Sequence, residues 1–271
     1  MSGRVLGNAE ARTTCSLLDP LKVIPENIVL FSIFSFFTSR VVNTCRLVSK
    51  NWKRLSSNEV LWKRIILVEM AFGKLKWAKH FGDIGEEPPL PLDILAILKT
   101  PSPVDPERSV AQTFLFTLIP RTINGQPFTL NCLGECMQAQ LPRLFIWREV
   151  SSAYGNTSLD ASHWVLMTKM VIPNSRNKGY TEQLALVESY QKGVLVECRA
   201  PKVLEALTCI FAQYVTSGIR LYNDAPWTFT RCQDRVGENQ AIVGAFGVNR
   251  LIIESYGFDA EFIGIAALRR F

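Results

Sequence analysis

The sequence predicts an α+β protein in two parts, with three short helices over residues 21–72 and an α+β domain with a mostly antiparallel sheet over 110–271. Three observations predict it. Between residues 24 and 72 apolar residues recur at helical spacing and are broken by capping residues. From 113 onward, β-prone runs bounded by turn residues flank two helical stretches. Between these parts, residues 73–109 hold six prolines: Pro88, Pro89, Pro91, Pro101, Pro103 and Pro106. Such proline density favours an extended, semi-rigid connector, the alternative being that the stretch packs as the irregular first part of the second domain.

Taken in order, residues 1–20 lack the continuous apolar core of a secretory signal and are expected to form a flexible tail. The stretch IPENIVLFSIFSFF (24–37) carries eight large apolar residues among the ten positions from Ile28 to Phe37. Proline is tolerated in a first helical turn, so Pro25 marks the start of a helix that is apolar on several sides. At about ten residues the run is roughly half the length that spans a bilayer, and no membrane association is expected. A second helix is expected over about 40–50. Ser56-Ser57-Asn58 then caps a third, with Val60, Leu61, Ile65 and Val68 on one face. Three helices in so few residues make a small core, which needs a partner or the rest of the chain.

In the second part TFLFTLI (113–119) and HWVLMT (163–168) are expected as strands, and Asn124-Gly125 as a turn. TEQLALVESYQ (181–191) is expected to be helical. So is APKVLEALTCIFAQYVTSG, with Pro201 at its start and Gly218 after its end. Four further strands are expected: WTFTRC (227–232), AIVGAFGV (241–248), RLIIESY (250–256) and FIGIAAL (262–268). No internal repeat is present.

The net charge of +6 is concentrated: residues 1–75 hold eleven Lys/Arg against five Asp/Glu, and residues 76–271 hold nineteen of each. The N-terminal quarter therefore favours an acidic partner surface. Its basic residues are interleaved with apolar ones rather than clustered into an arm, which favours a protein over nucleic acid. Seven cysteines spread over the chain point to free thiols in a reducing compartment, the cytoplasm.

Catalytic chemistry is sparse. Of two histidines, His80 precedes Phe81-Gly82 and His163 opens an apolar strand. Cys132 and Cys136 stand at C-x3-C spacing, but no second tight ligand pair accompanies them, so no metal site is assigned. There is no nucleophile elbow, phosphate loop or zinc-protease motif, and no cofactor is expected. An enzyme reading would need a pocket joining His163 to a cysteine, or to polar groups such as Arg231 and Asp234.

The most specific pattern is PENIVLFSIFSFFTSRVVNTCRLVSKNWKRLSSNEVLW (25–62). It resembles the F-box motif over nearly its whole length, through Pro25, Ile33 to Phe37, Cys45 to Lys50, Trp52 and Leu61-Trp62. It departs from the motif in three places: Ile24-Pro25 replaces Leu-Pro, Pro25 lies one residue too far upstream, and Val41 replaces an acidic residue. The resemblance implies docking on the acidic adaptor Skp1, and through it on a cullin–RING (SCF-type) ubiquitin ligase, with a C-terminal domain presenting an unknown protein target. It implies that Pro25, Ile28, Ile33, Phe34, Phe37, Leu47, Val48 and Trp52 form or support the adaptor-binding face. The same residues could instead pack the small helical core, or be capped by the second domain. HFGDIGEEPPLP, LIPRTINGQPFTL, HWVLMTKMVIPNSRNKGY and WTFTRCQD are similar to C-terminal regions of F-box-like proteins of chlamydia-related intracellular bacteria. That similarity implies an effector acting in the cytoplasm of a eukaryotic host. The closing GIAALRRF also resembles strands of formylglycine-generating-enzyme or C-type-lectin-like folds, which lends no function. Adaptor, enzyme with a docking module and structural cap all stay open on the sequence.

Overall fold

The computed structural model describes residues 67–138, 143–191 and 196–271, all within a unit running from Leu67 to Phe271; the chain divides between Ile66 and Leu67. The three helices expected over 21–72 lie outside the described residues apart from a final turn, residues 67–70, which is helical. The chain then gives α1 (Lys74–His80), α2 (Ile94–Lys99), a hairpin of β1 (Pro101–Ser102) and β2 (Asp105–Ser109), and α3 (Val110–Thr113). Next come β3 (Phe114–Ile119), the small hairpin β4 (Thr122–Ile123) and β5 (Gln126–Pro127), α4 (Leu130–Gln138), β6 (Arg143–Ile146), α5 (Arg148–Tyr154) and β7 (His163–Thr168). The remaining elements are α6 (Tyr180–Ser189), α7 (Val203–Ser217), β8 (Phe229–Val236), β9 (Asn239–Gly244), β10 (Arg250–Tyr256), β11 (Ile263–Ile265) and β12 (Leu268–Arg270).

Two sheets enclose α7. One is antiparallel, in the order β12-β7-β3, and the other runs β11-β8-β9-β10-β6. The central strands of the second sheet are antiparallel, while β11 joins β8 and β6 joins β10 in parallel. The result is α+β with mostly antiparallel pairing. Every residue of β3 and β7 is buried, as are ten successive residues of α7 from Val203 to Ala212. A helix packed between two sheets has no wet face, which is why APKVLEALTCIFAQYV is apolar almost all round.

The proline-rich stretch is not a free connector. Trp77, Ile84, Ile94, Ile97 and Leu98 are buried and join the main core, so the alternative, packing as the first part of the second domain, is what the structure shows. The attachment starts at Phe72, whose N–H donates to the Phe116 carbonyl (2.8 Å) and whose carbonyl accepts from the Leu118 N–H (3.0 Å). The Trp77 indole N–H donates to the Leu118 carbonyl at 2.9 Å, and its ring packs edge-on against Phe72 and Phe128. Prolines weaken a segment's own hydrogen bonding but leave its carbonyls available. Pro88 uses its carbonyl to accept from the Trp164 indole N–H at 3.1 Å. Asp83 exchanges backbone and side-chain hydrogen bonds with Asn124 in the β4–β5 turn, where Asn124 and Gly125 take the positive φ expected of Asn-Gly.

Two expected strands end differently from the sequence reading. AIVGAFGV stops as a strand at Gly244, where a Cβ would collide with the Thr228 carbonyl oxygen; close backbone approach is the reason for glycine there. FIGIAAL is not one strand but two, in different sheets. At the crossing, the Ala266 N–H donates to Thr230 Oγ1 (2.8 Å) and the Ala267 N–H to Thr168 Oγ1 (3.2 Å). One threonine from each sheet thus satisfies the backbone that leaves both ladders.

Trp77→Ala should lower the unfolding free energy in urea by about 3–5 kcal/mol, because it removes a buried indole from an aromatic cluster. Leu75→Ala, two residues away and 41% exposed, should change it by no more than about 0.5 kcal/mol. Equal, small effects of both would mean that this stretch is a linker after all.

Candidate functional site

The eight residues expected to bind the adaptor, Pro25, Ile28, Ile33, Phe34, Phe37, Leu47, Val48 and Trp52, all lie outside the described residues. The candidates for chemistry in the second unit are described, and they fall into separate structural sets.

His163, at the start of β7, is 4% exposed. Its Nε2 lies 3.1 Å from Glu205 Oε1 and its Nδ1 3.2 Å from the Ala161 carbonyl oxygen. Glu205 stands at the third helical position of α7 and is the hub. Its Oε2 accepts from the Lys202 N–H (2.8 Å) at the helix start and from Arg199 Nη1 (2.9 Å), while Oε1 also accepts from Arg199 Nη2 (2.6 Å). Burial alone would push this carboxyl up. The hydrogen bonds from His163 and Arg199, the Arg199 charge and the Lys202 N–H outweigh burial and hold it at about 2, against an ordinary 4.5. Asp234, from β8, accepts from the Val203 N–H at 2.6 Å, satisfying another unpaired donor of the same helix end; burial raises its carboxyl. His163 and Asp234 therefore fix the start of α7 from either side.

Arg231 on β8 belongs to a different set. Its guanidinium, 4% exposed, donates to the carbonyls of Lys178 (3.0 Å) and Phe258 (2.8 Å) and pairs with Asp259 at 2.9 Å. Arg176 donates likewise to the Trp227 and Glu261 carbonyls and to Thr228 Oγ1. Both arginines tie loops down onto the end of the five-stranded sheet.

Cys132 and Cys136 lie four apart on α4, a helix the sequence reading did not assign. Burial first, and the neighbouring Cys132 second, push the Cys136 thiol up to about 11. Burial likewise drives Cys198 up to about 12 and raises Cys209 and Cys232. A thiol so shifted is a poor nucleophile at neutral pH. Among the described residues no group of three or more His, Cys, Asp or Glu is placed to hold a metal ion. Two surface depressions border residues 67–80. One, of about 120 Å³, is lined by Phe72, Lys76 and Phe116, and the other by Lys79, His80 and Val215; neither contains His163, Arg231, Asp234 or a cysteine. His163, Arg231 and Asp234 thus lie outside both depressions and in separate hydrogen-bond sets.

The hub, Glu205, was missing from the sequence reading. Its signal was present: a glutamate at the third position of an apolar helix, just after Ala-Pro-Lys, is placed to accept from the N-cap N–H.

A family model described as F-box-like matches residues 25–68. No curated protein and no solved structure matches the chain.

Because the folded Glu205 carboxyl titrates below its unfolded value, its contribution of about 3 kcal/mol is complete above about pH 4.5 and drains away as pH falls toward 2. Glu205→Gln should destabilise the protein at pH 7 by about 3–5 kcal/mol and flatten this acid limb, as measured by urea unfolding across pH. An unchanged acid limb would show that another carboxylate carries it.

The match and the motif it covers place an F-box-like domain in this chain at residues 25–68.

Proposed function

We propose that this chain is a substrate adaptor. Its F-box-like domain docks on Skp1 of a cullin–RING (SCF-type) ubiquitin ligase, and residues 67–271 present a protein target. The observation that carries the reading is the F-box-like match over residues 25–68. Two others support it. The charge surplus of the chain lies in residues 1–75, which suits an acidic adaptor surface. Glu205 and Asp234 cap a helix and Arg231 anchors loops, which is the work of a scaffold. In this reading the chain has no catalytic residues of its own. The setting we propose is the cytoplasm of a eukaryotic host, with the protein delivered as a bacterial effector, on the resemblance of its C-terminal stretches to F-box-like proteins of chlamydia-related bacteria.

The test is co-purification of the full chain with recombinant Skp1 at micromolar concentration. Leu47→Ala/Trp52→Ala should weaken capture by at least about tenfold, since buried anchors dominate such interfaces, while the melting transition of the second unit stays in place. Binding should weaken as salt rises, because basic residues steer the encounter. Wild-type protein that ignores Skp1 under these conditions overturns the reading.

A further inference from the structure

The five-stranded sheet has two faces with different fates. Leu251 and Ile253 of β10 turn toward α7 and join the main core, whereas Ile252, between them, joins a smaller cluster with Phe229, Ile242 and Ile263. On the β8 and β11 side this outer face is covered by the chain itself. Phe262 packs there against Phe229 and Tyr256, and Arg231 holds the loop at Phe258 and Asp259. On the β10 and β6 side it is bare. Phe145, registered beside Ile252, is 44% exposed, and Trp147, edge-on to Phe145, is 47% exposed.

The bare half also carries an unusual charge pair. Arg143 and Arg250 are direct partners in the β6–β10 register, so both lie on this face, and both are exposed. Like charges directly opposed across strands destabilise a sheet. Among the described residues neither guanidinium makes an ion pair or a side-chain hydrogen bond. Four residues along, the Trp147 indole N–H donates to the Glu254 carboxylate, whose carboxyl burial pushes up. The face is therefore positive at one end, aromatic in the middle and acidic at the other.

β6 is also an edge. Among the described residues no strand pairs on its far side. The N–H groups of Arg143 and Trp147 donate toward β10, to Asn249 and Ile253, so in a parallel strand the N–H and C=O of Leu144 and Ile146 point outward. An unpaired edge with exposed aromatic side chains beside it is the arrangement that accepts an added strand.

We propose that this edge and outer face receive an extended acidic segment of a partner protein, which pairs with β6, sets a carboxylate between Arg143 and Arg250, and lays an apolar side chain on Phe145 and Trp147. The inference rests on the adaptor reading only in making that segment part of the presented target. Charge selects the occupant: the arginine pair gains from a carboxylate, and Glu254 rejects a second acid at the other end. A second copy fits less well, since β6 (Arg-Leu-Phe-Ile) brings no acidic residue to meet the arginines of its twin.

The test selects a displayed random heptapeptide library on the full chain and measures the best peptides by fluorescence anisotropy. We expect enriched peptides to carry an acidic residue near an apolar one, and Arg143→Glu/Arg250→Glu to weaken them by at least about tenfold at moderate salt. Leu144→Pro, which removes an outward N–H, should do the same. Where charge reversal lowers the melting temperature, Arg143→Gln/Arg250→Gln replaces it. No enrichment, peptides that bind the variants equally well, or a concentration-dependent dimer abolished by Phe145→Ser would each overturn the proposal. Skp1 capture, measured on the same samples, should be unaffected by these substitutions. If wild-type protein binds the peptides but not Skp1, the adaptor reading falls and this surface stands.

Discussion

The hydrogen bond from the Trp77 indole to the Leu118 carbonyl joins a helix in a proline-rich stretch to a fully buried strand. Much of the second unit depends on that junction. Phe72 bridges onto the same edge of that strand, and Phe81 carries the aromatic contact on to Phe211 in α7. Phe72 and Trp77 thus fix this stretch to the edge of β3 that β7 leaves free, and the prolines that follow restrict the path of the chain. The F-box-like match ends at residue 68 and the packed unit opens at Leu67, so the two ranges adjoin along the sequence.

A second constraint governs the interior. The central helix α7 is enclosed by sheets, so its N-terminal N–H groups cannot turn to water. Glu205 and Asp234 meet them, and Arg199 and His163 offset the charge that this places inside. Of the groups that looked like candidates for catalysis, His163 and Asp234 thus serve a buried helix end, while Arg231 anchors loops on the five-stranded sheet. Removing one member leaves another uncompensated in a low-dielectric interior, which makes the set cooperative.

Local pattern carried much of this fold, and long-range pairing hid the rest. RLIIESY and HWVLMT are strands to the residue, because each is a β-prone run bounded by turns. Helix α7 was equally legible from Pro201 to Gly218. By contrast β6 is four residues long and takes its strand form from parallel pairing with β10, far along the chain; nothing local announces it. The sheet-switching at Ala266-Ala267 was invisible for the same reason, since it depends on two threonines supplied by other strands. Proline count misled about residues 73–109, where the deciding contacts come from Trp77, Ile84 and Ile94. The F-box-like segment was legible as a motif, through Cys45 to Lys50, Trp52 and Trp62, and its contact face, from Pro25 to Trp52, lies outside the described residues.

The proposed adaptor role divides two tasks, with the F-box-like domain meeting the ligase and the unit from Leu67 onward meeting the target. Hydrogen exchange on the full chain, with and without Skp1, tests that division most directly. Added Skp1 should slow exchange within residues 25–68 and leave β6 and β10 unchanged. Slowed exchange confined to residues 67–271, or none anywhere, would contradict it.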